Sequence, residues 1–306
     1  MKKHYHTRKQ QARRMAGTVL PAALALMALI LLAPGSGSAQ NSIITTGEGM
    51  AALGNDKTRN QAMTEARDLA RRNAAEKAAT HIQSVSTVEN FALAKDVVKA
   101  YAEAVVTILE ELESGWTSDP RMGESFRIVI KAEVVPNFKA GKDEDPQAAW
   151  FENPAAPLTV KLTTPRQAYR AEEQVTIYLQ GNKPFFARVV YEDSSGNLTQ
   201  ILPNPYRTEN YFQGSSIYSL PSGNDQYTMT VVPPFGEERV TVYAATQPLG
   251  EVDKQARGPV YLLNEKRGDV AVRTRGIKLS AVLEEKAETK DTAEFYETSL
   301  TIRTGP

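Results

Sequence analysis

The reactive side chains of this chain form a short inventory. Cysteine is absent and the histidines are His4, His6 and His81. Thiol nucleophiles, Cys-ligated zinc, iron–sulfur clusters and lipid attachment through an N-terminal Cys are thereby excluded. His81 falls near the end of a helical pattern, where an imidazolium meets the last backbone carbonyls. A zinc site or a Ser-His-Asp triad needs partners beyond one isolated histidine. Carboxylates cluster at Asp143-Glu144-Asp145, Glu192-Asp193 and Glu284-Glu285. Glycoside hydrolysis needs two of them roughly 5–10 Å apart in a cleft, whereas these read as a linker, a hairpin and a solvated run. None follows the calcium-loop pattern. Gly47, Gly49 and Gly54 stand between a strand-like and a helical segment. Their spacing is not that of a dinucleotide loop, so they are read as bulge and turn glycines. No GK[ST] sequence is present to cradle phosphate.

Aromatic residues are the remaining resource. Tyr191, Tyr206, Tyr211, Phe212, Tyr218 and Tyr227 concentrate in the middle of the second half. Alternation sends about half of them to a core, and the rest form a platform for a sugar or peptide. The proline-bounded segment Leu202–Phe212 combines rigidity with aromatic area on a loop, the usual place for binding function. The candidate binding surface is therefore Asn204, Tyr206, Tyr211 and Phe212, with Trp150 as a further member. No cofactor or metal ligand set is expected.

The elements that carry these residues follow from composition and periodicity. Lys2, Lys3, Arg8, Lys9, Arg13 and Arg14 precede the apolar run Val19–Ala33, and Gly37-Ser38-Ala39 supplies small residues. This is the build of a secretory signal peptide over residues 1–39, with cleavage expected after Ala39 and a periplasmic or secreted destination. The apolar run is short for a bilayer span, so no stable membrane span is expected after cleavage. The whole chain balances 36 bases against 36 acids. Removing residues 1–39 takes six bases and no acids, leaving 30 against 36, a net charge of −6. A mildly acidic protein is a poor nucleic-acid binder, and no nucleic-acid partner is expected.

Residues 40–135 read as a small α+β domain. Ser42–Met50 is strand-like, and Asn55-Asp56 offers an N-cap to a helix from Lys57 to about Gln83. Its alanine-heavy stripe, Ala62, Ala66, Leu69, Ala70, Asn73, Ala74, Ala78 and Ile82, suits close packing on a sheet. Ser84–Asn90 has strand composition, Phe91–Tyr101 has helical spacing, and Ala102–Trp116 satisfies both patterns. Phe126, Ile128 and Ile130 alternate as a strand. Residues 136–157 form a proline-rich acidic linker. From 158 to 306 the texture is all β, with strands at Leu158–Leu162, Gln174–Leu179, Phe185–Tyr191, Leu198–Leu202, Tyr227–Val232, Val240–Ala244, Ile277–Val282 and Phe295–Ile302. Gly196-Asn197 marks a hairpin. A polar excursion covers 250–270, and Glu284 to Glu294 reads as acidic and solvated. The fold class is α+β: helices on one face of a sheet, then a β-sandwich-like domain.

Both halves carry resemblances. Gly47-Glu48-Gly49 before the Ala-rich helix, followed by Val88-Glu89-Asn90-Phe91 and a strand ending in Val134, resembles the N-terminal domain of the flagellar assembly protein T group and related small envelope proteins. Tyr169-Arg170-Ala171-Glu172-Glu173, Gly196, Gln200-Ile201-Leu202-Pro203-Asn204, Pro233-Pro234-Phe235-Gly236-Glu237, Arg275-Gly276-Ile277 and Glu294-Phe295-Tyr296 resemble an uncharacterised bacterial β-rich C-terminal domain, also found behind kinase or caspase-like domains. Ala171 stands where that family usually has Gly. The resemblances imply non-catalytic envelope or interaction modules. The expectation is an exported, non-catalytic interaction or assembly-accessory protein of the bacterial cell envelope, partnered by envelope proteins in a larger assembly. One alternative is a glycan or peptidoglycan binder using the β-domain aromatics, and a second is a carboxylate-based hydrolase.

Overall fold

The computed structural model describes residues 40–54, 56–85, 91–119, 123–137, 151–222, 225–276 and 292–306. The leader, Asn55, residues 86–90, the 143–145 acids, Trp150, the Ile277–Val282 strand and Glu284-Glu285 lie outside them.

Strand β1 (Gln40–Ala52) is followed by the 27-residue helix α1 (Arg59–Val85). Thr58 and Gln61 start that helix with a capping box. The Gln61 N–H donates to Thr58 Oγ1 (3.2 Å) and the Thr58 N–H donates to Gln61 Oε1 (2.8 Å). The cap is thus Thr58, not Asn55-Asp56, because its pairing satisfies two orphan donors. Ala62, Ala66, Ala70, Ala74, Ala78 and Ile82 are all fully buried, one turn apart. They press on β1, where a Cβ at Gly49 would collide with the backbone of Ala66 and Ala70, and one at Gly47 with Ala70 and Ala74. These two glycines sit in regular strand and admit the helix; they do not form a bulge or turn. Ser84 and Val85 belong to the last turn of α1, where the Ser84 hydroxyl bonds the His81 carbonyl, so strand composition there yields to helix continuation.

Helix α2 (Phe91–Ala102) leads to β2 (Val105–Asp119) and β3 (Gly123–Val135). The ambiguous Ala102–Trp116 stretch becomes strand because β2 pairs with β3 from Val105↔Val135 to Asp119↔Gly123, with irregularities at Ile108/Glu110 and Glu111/Glu113. Gly123 turns the hairpin at φ +77°.

The second half supplies β4 (Val160–Thr163), β5 (Ala168–Arg170), β6 (Ile177–Gly181), β7 (Phe185–Glu192), β8 (Leu198–Leu202), β9 (Tyr211–Phe212), β10 (Tyr218–Leu220) and β11 (Glu237–Ala245). Then come β12 (Lys254–Arg257), β13 (Val260–Leu263), a short helix α3 (Arg267–Thr274) and β14 (Thr292–Gly305). The protein is mostly β, dominated by one large curled sheet. Its order is β12-β13-β8-β7-β11-β14-β1-β3-β2, with β5 beside β14 and β9 beside β7; a second sheet runs β10-β6-β4. The described residues, from Gln40 onward, cluster as one unit. The large sheet runs through both halves of the sequence, since β1 pairs with β14 from Gln40↔Glu297 to Thr45↔Thr292.

Three apolar clusters divide the interior. One lies between α1, α2 and the β1-β3-β2 end, with Ile43, Ile128, Ile130 and Tyr101. A second lies between the two sheets, with Ile177, Leu179, Phe185, Phe212 and Val242. The third, with Ile44, Tyr243 and Phe295, is covered by Val252, Leu263 and Val270. The 250–270 excursion therefore carries two strands and a helix that close this third cluster; its polar residues face outward and mask the apolar ones. Tyr227–Val232 is not a strand. It makes one isolated bridge, Gln174↔Thr230. At the turn before β6 the left-handed residue is Glu172 (φ +67°), so Ala171 avoids the conformation a glycine would favour.

Candidate binding surface

The Leu202–Phe212 segment joins β8 to β9, and polar anchors hold it from inside. Asn204 is fully buried. Its Oδ1 accepts from the N–H groups of Tyr206 (2.9 Å) and Arg207 (2.8 Å), and its Nδ2 donates to the Ile201 carbonyl (3.1 Å). This is an Asx turn, the local bonding that Asn favours over helix or strand. Arg207 reaches the fully buried Asp225 at 3.3 Å and lies over the Phe212 ring at 5.5 Å. Asp225 also accepts from the Ser222 N–H at 2.6 Å. At the far end Asn210 brackets Ala187: its Nδ2 donates to the Ala187 carbonyl (3.0 Å), and the Ala187 N–H donates to the Asn210 carbonyl (2.8 Å).

Strand alternation then sorts the aromatics. Phe212 faces Phe185 in the core, ring centroids 5.4 Å apart, while Tyr211 faces Phe186 on the other side at 4.9 Å. Tyr206 and Tyr211 are exposed, at 55% and 41%. Of the expected surface, the structure thus presents Tyr206 and Tyr211. Phe212 and Asn204 are buried and act as support, because β9 pairing turns one inward and the Asx turn consumes the other. Tyr227 is half-buried, its hydroxyl donating to the Ile201 carbonyl (3.1 Å), and burial raises its ionisation above the ordinary phenol range. Phe186 is half-buried beside Tyr211; its place on the opposite face of β7 from the buried Phe185 follows from period-2 alternation. Arg207 and Asp225 are 18 positions apart, and no local pattern links them.

His81 and the buried charges Glu294, Lys183, Arg188 and Arg275 have structural partners. His81 does not cap its own helix. Its Nε2 lies 3.3 Å from the buried Glu294 carboxylate, which also takes Lys183 Nζ at 3.0 Å and the Leu158 N–H at 2.6 Å. Glu294 is therefore not part of a solvated acidic run. Burial pushes its carboxyl up, but the His81 hydrogen bond and the Lys183 charge outweigh it and hold it below the usual carboxylate range. Arg275 bonds Glu133 (2.8 Å) and Glu297 (2.7 Å). Arg188, buried among Gln200, Thr274 and the Gly250 carbonyl, is lowered by desolvation to about 10. Glu192 pairs with Arg267 at 3.2 Å, and Asp193 caps the hairpin through the N–H groups of Ser195 and Asn197. Among the described residues, no three of His, Asp and Glu gather as a metal-holding group, and no helix is long and apolar enough to cross a membrane.

A β-rich domain with an anchored aromatic loop is the class these features define. Residues 168–248, from β5 to just past β11, match the family described as a domain of unknown function, DUF4384. That match supports the resemblance of the C-terminal half to an uncharacterised bacterial domain, and the whole aromatic loop lies inside it. No curated protein matches the chain significantly.

Proposed function

We propose that this chain is an exported, non-catalytic binding protein of the bacterial cell envelope, an accessory to an envelope assembly, that engages its partner through the Leu202–Phe212 loop. The observation that carries the reading is a pair of exposed tyrosines on a loop whose anchors, the buried Asn204 and Asp225 and the half-buried Arg207 and Asn210, are all hydrogen-bonded or ion-paired. Ordering exposed aromatics costs conformational freedom, and a surface ordered in advance lowers the cost of binding. The basic and apolar build of residues 1–39 supports export to the periplasm. Two of the apolar clusters, one confined to residues 43–156 and one to 158–302, support a two-domain reading, an α+β domain at 40–135 and a sandwich-like domain at 158–306 joined by the 136–157 linker, with the third cluster, Ile44 beside Tyr243 and Phe295, as their contact. The resemblance of residues 43–135 to envelope proteins suits the same setting.

The test is a photoreactive residue at the exposed Thr208, introduced in cells, with fractionation of the tagged chain. Recovery outside the cytoplasm with adducts to an envelope component is expected. Turnover of a substrate by the purified protein, lost on a single carboxylate change, would sink the reading.

A further inference from the structure

We infer that the Tyr206–Tyr211 loop is a carbohydrate-stacking subsite, taking the pyranose rings of a cell-wall glycan strand; the inference rests on the binding role proposed above for the same loop. Three observations lead to it. The exposed parts of the two tyrosines amount to roughly 200 Å² at 150–250 Å² per aromatic side chain. That is about a quarter of the ~800 Å² per partner that a stable protein interface needs, and it matches one or two sugar rings.

The loop is also close to uncharged toward solvent. Arg207 is spent on Asp225 and Phe212, and the Asn204 and Asn210 side chains are spent on backbone, which leaves Glu209 as the one unpaired charge between Pro203 and Gln213. An anionic or phosphate-bearing ligand would find no free counter-charge here, whereas a pyranose offers an apolar C–H face to a ring. Finally, the hydroxyls of Tyr206 and Tyr211 have no partner among the described residues, so each ring presents both a face and a donor–acceptor tip for sugar hydroxyls. Phe186 packs against Tyr211 with ring centroids 4.9 Å apart.

The experiment is co-sedimentation of the purified protein with peptidoglycan sacculi, with competition by a soluble β-1,4-linked N-acetylglucosamine oligomer. The variants are Tyr206→Ala, Tyr211→Ala, Tyr211→Phe and, as a control at an exposed apolar position of α3, Val272→Ala. Thermal unfolding checks that each variant is folded. Each alanine is expected to weaken binding about tenfold, one stacked ring at ~1.4 kcal/mol. Tyr211→Phe is expected to keep most of the binding, and Val272→Ala all of it. Sedimentation of the folded Tyr206→Ala and Tyr211→Ala variants equal to wild type, or no sedimentation of wild type, overturns the inference. If sacculi are not bound while the Thr208 photoadduct is a protein, the glycan assignment fails and the binding role stands. If neither partner is captured, both fail.

Discussion

Replacing Glu294 by Ala is the sharpest perturbation of this fold. The carboxylate is 4% exposed and sits at the meeting of β14, α1 and the start of β4, holding Lys183, His81 and the Leu158 N–H. Its removal leaves the Lys183 ammonium, only 12% exposed, without its counter-charge. It also orphans a buried backbone donor at Leu158. Breaking a buried pair from one side costs about 3–5 kcal/mol, because the remaining charge stays desolvated. At 2–4 °C per kcal/mol for a chain of this size, the midpoint should fall by roughly 6–20 °C. Urea unfolding followed by tryptophan fluorescence gives the free energy, and a scan gives the midpoint. Because Glu294 ionises below its unfolded value, its contribution is fully present above about pH 4.3 and is lost as pH falls through the folded value. The gap between wild type and Glu294→Ala should therefore be full at pH 7 and narrow below about pH 4. A loss under about 1 kcal/mol at pH 7, or a gap that does not narrow in acid, would refute the account of Glu294 as the charge that fixes this junction.

Other positions make independent tests. Gly49→Val should destabilise by about 1–3 kcal/mol through overpacking against Ala66 and Ala70, read by chemical denaturation. Thr58→Ala removes one arm of the capping box and should cost about 1 kcal/mol, with early amide exchange in the first turn of α1. Asp225→Ala should release Arg207 and orphan the Ser222 N–H, costing about 3 kcal/mol, with new protease cleavage between Pro203 and Asn210 as the local readout.

Local rules found the parts whose reasons are local. The i, i+4 alanines of α1, the alternation in β3 and the turn at Gly196 (φ +84°) depend on near neighbours and were legible. β2 was not, because its strand state comes from pairing with β3 rather than from its own propensities. Glu294 looked solvated because its partners lie 111 and 213 positions away. The loop was half legible: proline and aromatic content located it, but which aromatic faces out is set by the β7–β9 register, which turns Phe212 onto Phe185 in the core and leaves Tyr211 outside. The covering piece at 250–276 hid because an amphipathic cap over one cluster needs only Val252, Leu263 and Val270 turned inward.

The pairing of β14 with both β1 and β11 also governs the order of assembly. β1 comes from residues 40–52 and β14 from residues 292–305, so closing that contact ties a loop of some 250 residues. Lengthening a loop costs little equilibrium free energy, but contacts this distant in sequence slow folding. During vectorial synthesis, β1 emerges early and must wait, with one edge open, for a strand that arrives after every other described one. A chain interrupted before residue 292 would lack the middle of its sheet, leaving two facing edges of the kind that invite aggregation.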